Sequence, residues 1–216
     1  MKNKAVVLLS GGLDSAVALY LARSLGYGCL CVIFDYGQRH RREIGSARRI
    51  ARLAGCAYKV IKLDFAHKGS SLLDKKAEVK GCASRIPDTY VPARNIVFLS
   101  LALSLAEAIK AKEIFIGAHA QDYSGYPDCR PEFYRAFKRA AISGTRSGVE
   151  GKAPGIRTPL INKNKAQIIR LGRRLKVPFE LTWSCYRGGK APCGRCDSCR
   201  FRANGFKGAG LEDPSL

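Results

Sequence analysis

The chain has 216 residues, 46% apolar and 25% charged, which fits one packed medium-sized α/β domain with a small appendage and excludes a disordered chain. No apolar run is long enough to cross a bilayer, and the five apolar residues after Lys4 are too few for a secretory core, so a soluble cytoplasmic protein with no membrane partner is expected. The formal charge of +21 attracts polyanions, so nucleic acid has to be weighed as a partner, although the same charge suits a solvated basic surface on an enzyme with phosphate-bearing substrates.

In chain order, residues 5–9 (AVVLL) read as a buried strand, followed by a Gly-Gly turn and a helix over residues 14–25 that Gly26 stops. Residues 29–34 form a second apolar run, residues 43–53 a helix stopped by Gly55, and residues 58–63 a third strand. Alternation of strand and helix favours a doubly wound parallel sheet. Residues 67–92 show no period and read as a long functional loop. Beyond it come an apolar helix over 95–110, a short strand over 114–116, a helix over 132–142, a glycine-rich segment over 144–154 read as mobile, and a helix over 161–175 begun by Asn162. The expected division is a nucleotide-binding domain over 1–178 and a four-cysteine subdomain over 179–216.

Two motifs carry chemistry. Ser10-Gly11-Gly12-Leu13-Asp14-Ser15 lies where a strand turns into a helix, so outward backbone N–H groups and the positive helix end form an anion cradle. Glycines admit phosphate oxygens close to the backbone, Ser10 and Ser15 add hydroxyls, and Asp14 caps the helix or orients Mg²⁺. The Lys of a G-x-x-x-x-G-K-[ST] loop is absent, which suits loss of pyrophosphate with transfer of AMP. The second motif is Cys185-x7-Cys193-x2-Cys196-x2-Cys199, four thiolates at the spacing of a closed structural Zn²⁺ site, with an iron–sulfur cluster as its rival. Nine cysteines cannot all pair within the chain, and clustering without an export signal argues for metal.

Polar loops follow several strands. One holds Asp35 through His40, another leads through Arg94 and Asn95, and a third runs from Ala118 to Arg130 with Asp122 and Asp128. Ligands of open α/β sheets sit at the carboxyl ends of strands, so these loops are expected around the nucleotide and its acceptor. Cys129 has no activating neighbour legible in the sequence. His40, His67 and His119 show no metal-ligand spacing and read as solvated or structural.

At VVLLSGGLDSA, FDYGQRH, TYVPARN, IFIGAHAQDYSGYPDCRPEF, TPL-x4-KA, VPFELTWSCY and CGRCDSC, taken in that order, the chain resembles the 7-cyano-7-deazaguanine synthase (QueC) family over essentially its whole length. The resemblance implies a PP-loop fold of the adenine nucleotide hydrolase type. It also implies an ATP-dependent enzyme that turns 7-carboxy-7-deazaguanine and ammonia into a nitrile, works as a homodimer and does not require nucleic acid. Position by position it places Ser10, Gly11, Gly12, Leu13, Asp14, Ser15 and Asp35 at ATP, and Lys165 at phosphate. Arg94, Asp122 and Arg130 would line the pocket, Cys185, Cys193, Cys196 and Cys199 would hold Zn²⁺, and Mg²⁺ would accompany the pyrophosphate. His119 and Gln121 depart from the expected asparagine and leucine-like residue, and Asn164 stands where a small hydroxyl residue is usual. Two other readings remain beside this one. They are a PP-loop enzyme acting on tRNA and a non-enzymatic zinc-containing nucleic-acid binder.

Overall fold

The computed structural model describes residues 3–38, 41–65, 70, 89–119, 125–187 and 189–215. Most of the 67–92 loop, together with His40, His67, Cys82, Gln121 and Asp122, lies outside them. Five strands build the sheet: β1 Lys4–Leu8, β2 Gly28–Asp35, β3 Ala57–Lys62, β4 Glu113–Phe115 and β5 Gly155–Arg157. All pairings are parallel and the order is β3-β2-β1-β4-β5. The order reverses between β1 and β4, and that crevice is where an open parallel sheet takes a ligand.

Seven α-helices flank the sheet among the described residues: α1 Leu13–Ser24, α2 Arg42–Leu53, α3 Arg94–Ala108, α4 Pro131–Gly144, α5 Arg146–Val149, α6 Lys165–Arg174 and α7 Asp197–Ala209. Because β1 is central, both of its faces are buried and its residues alternate between two cores. Ala5, Val7 and Leu9 join the core shared with α1, α2, α6 and α7, whereas Val6 and Leu8 join the one under α3 and α4. The stretch after 178 contributes to two clusters: its cysteines gather with Trp183 and Tyr186, and two of its phenylalanines join the sheet. Phe179 and Phe206 pack edge to face, 5.4 Å between centroids, inside the first of those cores.

Three sequence expectations change. The segment over 144–154 is held rather than loose. Thr145 Oγ1 caps α5 by accepting from Gly148 N at 3.0 Å, and Ser147 N donates to Glu107 Oε1 of α3 at 2.7 Å. The helix expected from Ile161 begins at Lys165 instead, because Asn164 and Gln167 form a reciprocal capping box: Gln167 N donates to Asn164 Oδ1 and Asn164 N to Gln167 Oε1. Asn162 is therefore not its cap. The third change is β5, a strand over residues to which the sequence assigns no element.

Two glycines let elements meet at the crevice. Gly11 has φ +87°, and a Cβ there would strike the Glu43 carbonyl in the first turn of α2. Gly117, just past β4, lies against the first turn of α1, where a Cβ would come within 2.8 Å of both Asp14 C and Ser15 N. We expect Gly117→Ala to cost about 1–3 kcal/mol by overpacking. The check is a melting curve, with Tm lowered because the displaced backbone is that of the loop over residues 10–15.

Candidate active site and cysteine centre

The loop over residues 10–15 is wrapped around two hydroxyls. Ser15 Oγ accepts from Ser10 N at 3.2 Å and donates to Gly12 O at 3.0 Å, and the two serine oxygens lie 3.0 Å apart. Gly12 N donates to Ser10 Oγ at 3.2 Å. Gly12 is the N-cap of α1 and has no side chain to cap it, so the first-turn N–H groups remain available to an anion.

The mouth of this loop holds a compact ionic group drawn from three parts of the chain. Lys165 Nζ donates to Asp14 Oδ1 at 2.9 Å, to Asp14 Oδ2 at 2.8 Å and to His119 Nε2 at 2.9 Å. His119 Nε2 lies 3.5 Å from Asp14 Oδ2. The lysine can only donate, so the imidazole accepts from it through Nε2. Burial alone would raise the Asp14 carboxyl. The Lys165 charge and the hydrogen bonds at the carboxylate outweigh burial and hold it well below the usual carboxylate range, so Asp14 stays anionic.

A cleft of about 260 Å³ opens from this loop. Ser10, Gly12, Asp14 and Ser15 line one side, and Phe34, Tyr36, Arg94 and Phe98 line another. Phe34 and Phe98 stack at 4.0 Å, and the Arg94 guanidinium sits 5.8 Å from the Tyr36 ring centroid. The wall is braced by Gln38, which is 3% exposed. Its Oε1 accepts from Tyr36 N at 2.8 Å, while its Nε2 donates to Phe34 O at 3.1 Å and to Glu43 Oε1 at 2.9 Å. Burial pushes the Glu43 carboxyl up to about 7, against the Gln38 hydrogen bond and the Arg94 charge. Opposite, Asn95 N donates to Asp128 Oδ2 at 2.9 Å, a carboxylate placed at the positive end of α3. Asn95 Nδ2 donates to Cys129 Sγ at 3.1 Å, and that thiol lines the cleft.

The sequence-derived residues fall into two sets. Ser10, Gly12, Asp14, Ser15 and Arg94 line the cleft, and Lys165 reaches Asp14 at its edge. Gly11 supports the loop from behind, and Leu13, 2% exposed, belongs to the core beneath it. Asp35 ends β2, where its carbonyl accepts from Leu63 N at 2.8 Å, and Arg130 is the N-cap of α4. Neither is among the cleft-lining residues. Gln38 lies in the Asp35–His40 loop expected at the site, whereas Glu43 and Tyr186 carry no sequence signal for the cleft and His119 reads as solvated or structural. His119 was legible only as a departure from the family pattern, and its ionic neighbours lie far from it in the chain.

The four cysteines converge. Their Sγ atoms all lie within 4.8 Å of one another, with Cys193 and Cys199 4.0 Å apart. A tetrahedral ion with bonds of about 2.3 Å needs sulfurs about 3.8 Å apart, so the set fits a metal such as Zn²⁺. Backbone donors already point at the sulfurs: Arg187 N and Cys193 N at Cys185, and Cys196 N at Cys193, each at 3.4 Å. Trp183 ties this centre to the loop over residues 10–15, since its N donates to Gly11 O and its Nε1 to Cys185 O, both at 2.9 Å. Buried Arg202 secures the same segment by donating to Asp213 at 2.7 and 2.9 Å and to Thr182 Oγ1 at 2.6 Å.

Two outcomes are expected. Between pH 4.5, the ordinary glutamate value, and about 7, the folded chain keeps a proton on Glu43 that the unfolded chain has lost. Stability therefore falls as pH rises through that window. Glu43→Gln should flatten this limb in denaturant titrations run across pH. Cys196→Ser should drop the bound metal from one ion per chain to a small fraction and lower Tm, as read by elemental analysis and calorimetry. A full metal complement in that variant would remove Cys196 from the ligand set.

Comparison with known proteins agrees over the whole chain. The model of the family described as "Queuosine biosynthesis protein QueC" matches residues 4–210. Proteins named 7-cyano-7-deazaguanine synthase are similar to it: 53% identical in Pseudomonas putida and 54% in Stutzerimonas stutzeri, each over 99% of this chain and 98% of the relative. One from Saccharophagus degradans is 52% identical over 99% of this chain and 97% of its own. Among solved structures, NMN synthetase from Francisella tularensis matches at TM-score 0.53 and 17% identity, over 98% of this chain and 78% of that one. The U34-tRNA thiolase NcsA from Methanococcus maripaludis matches at 0.50 and 19%, over 95% and 65%. These structures share the fold alone, whereas the sequence match is to one family, and by it the chain belongs to the QueC family of queuosine biosynthesis proteins.

Proposed function

We propose that the chain converts 7-carboxy-7-deazaguanine and ammonia to 7-cyano-7-deazaguanine with ATP, through an acyl adenylate and then an amide, in queuosine-type biosynthesis. The observation that carries this reading is the uncapped, hydroxyl-wrapped N-terminus of α1 facing an aromatic-walled cleft, in a chain of the QueC family. The substrate carboxylate attacks the α-phosphorus of ATP and pyrophosphate leaves. Ammonia displaces AMP from the acyl carbon, giving the primary amide and losing a proton. The amide oxygen then attacks a second ATP with loss of pyrophosphate. Departure of AMP with the remaining N–H protons leaves the nitrile.

Charge builds on phosphate at each transfer, so positioned donors dominate catalysis. Ser10, Gly12, Ser15 and the first-turn N–H groups of α1 bind phosphate, and Lys165 supplies the cation that reaches it. The permanently ionised Asp14 holds Lys165 in place and offers an oxygen for orienting Mg²⁺, which neutralises pyrophosphate when bound. Tyr36, Phe34 and Phe98 provide faces for a heterocycle and Arg94 a donor to its carboxylate, and the roles of Asp122 and Arg130 rest on the family pattern alone. Gly11, Leu13 and Asp35 shape the nucleotide end. Residues 1–178 form the nucleotide-binding part. Residues 179–216 form the metal-binding part, where Zn²⁺ on the four cysteines stiffens the segment that Trp183 pins to Gly11. The enzyme works in the cytoplasm as a homodimer and needs no nucleic acid for turnover.

The test is incubation of the full chain with 7-carboxy-7-deazaguanine, ammonium, Mg²⁺ and ATP, read by mass spectrometry. Two AMP and two pyrophosphate should appear per nitrile. Asp14→Asn should lower kcat/KM by about 100-fold or more while keeping the metal. AMP release without nitrile would overturn the acceptor. No nucleotide turnover from folded, metal-loaded protein would overturn the reaction class.

A further inference from the structure

The positive charge is not spread evenly over the molecule. On one side of the sheet, where α1, α2, α6 and α7 share a core, α2 exposes Arg48, Arg49 and Arg52, and α6 exposes Arg170, Arg173 and Arg174. Their spacings of three and four residues align them as a guanidinium row along each helix. The 3-10 turn Phe179–Leu181 touches α2, and α7 packs along α6, so the rows belong to one continuous surface. Arg42 continues it to the cysteine centre by stacking on Trp183 at 5.2 Å and donating to Lys190 O at 2.7 Å.

The contrast with the other side decides what this surface is. On the α4 side, Arg135 lies 3.3 Å from Glu132 and Arg146 2.8 Å from Glu150, so that among the exposed cations of α4 only Lys138 and Arg139 lack an ion pair with a described carboxylate. On the α2 and α6 side, none of the six arginines makes an ion pair with a described carboxylate. The exposed acids there, among the described residues, are Glu180 and Glu212, while Asp213 is occupied by Arg202. Nor do these arginines line the cleft, so they are not placed to grip ATP or a small carboxylate. Two aromatic rings belong to the elements of this side. Phe201 of α7 is 46% exposed, and Tyr58 lies under Arg52 at 5.7 Å.

We propose that the outer face of α2, α6 and α7 is an RNA-binding surface, with the arginine rows on backbone phosphates and the exposed ring available for base stacking. Unpaired guanidinium rows match a repeating phosphate chain through forked hydrogen bonds, and aromatic rings on the same side favour bases over a lipid headgroup layer. The surface is independent of the reaction assigned to the cleft and lies outside it.

The test is fluorescence anisotropy of a labelled, mixed-sequence RNA of roughly 20 nucleotides with the full metal-loaded chain, at about 0.15 M salt and across a salt series. Two triple variants are compared, Arg48→Glu/Arg49→Glu/Arg173→Glu on this face and Arg135→Glu/Lys138→Glu/Arg139→Glu on α4. Both lose the same formal charge. The first should raise Kd about tenfold or more and reduce the slope of log K against log salt by about 2, as three lost phosphate contacts require. The α4 variant should change Kd by less than about threefold, and nitrile synthesis should be unaffected in both. The matching Gln triples repeat the comparison if a glutamate variant fails to fold. Equal weakening by both variants would reduce the effect to net charge and overturn the proposal. Absence of wild-type binding at that salt, or binding to phosphatidylserine vesicles without RNA binding, would overturn it as well.

Discussion

The site depends on one ion pair, Lys165 with Asp14, reinforced by His119. Asp14 lies in the first turn of α1, Lys165 in the first turn of α6, and His119 just beyond β4. These are the elements bounding the crevice where the strand order reverses. A lysine and a carboxylate this sheltered would be costly apart, since removing either leaves an uncompensated charge out of bulk water. Together they fix the distance between the helix end that can bind phosphate and the cation that can follow it. Gly117 makes the arrangement possible, because any side chain there would drive β4 away from the backbone of Asp14 and Ser15.

The cysteine centre belongs to the same construction. It stands outside the cleft, yet Trp183 links it to the loop over residues 10–15 through Gly11, and Tyr186 lines the cleft. Arg202 stiffens the approach by satisfying Asp213, Thr182 and the Phe179 carbonyl at once, with its guanidinium 5.3 Å from the Phe206 ring centroid. An ion on the four sulfurs would tie together the chain on both sides of Gly194 and brace the segment that carries Trp183. In this way a metal with no open coordination position can influence nucleotide binding.

Much of the fold and the most local parts of the site were readable from residue order. The first three strands and two helices stand within one or two residues of the expected bounds, because their apolar periods are strong and Gly26 and Gly55, both at positive φ, stop the helices. The start of α6 was also readable in principle from Asn164 followed by Gln167, but the apolar Ile161 drew the helix too far forward. β5 was not readable. Three residues among glycines and prolines have no period, and they become a strand only because β4 offers an edge. The 144–154 segment likewise owes its order to Glu107 of α3, which no local pattern announces.

What the sequence determined by itself was what neighbours along the chain supply: the Gly-Gly turn at a helix start, the cysteine spacing, the alternation that demands a parallel sheet, and the family. The tertiary structure alone decided which distant groups meet. Lys165 reaches Asp14 across 151 positions and His119 across 46. Gln38 and Glu43 became wall braces through burial, and Leu13 became core. The helix layers also placed six arginines without ion pairs to described carboxylates on the outer face of α2 and α6. The reason is the same in each case: burial and ion pairing depend on distance in space, which spacing along a chain does not encode once a sheet has folded it back on itself.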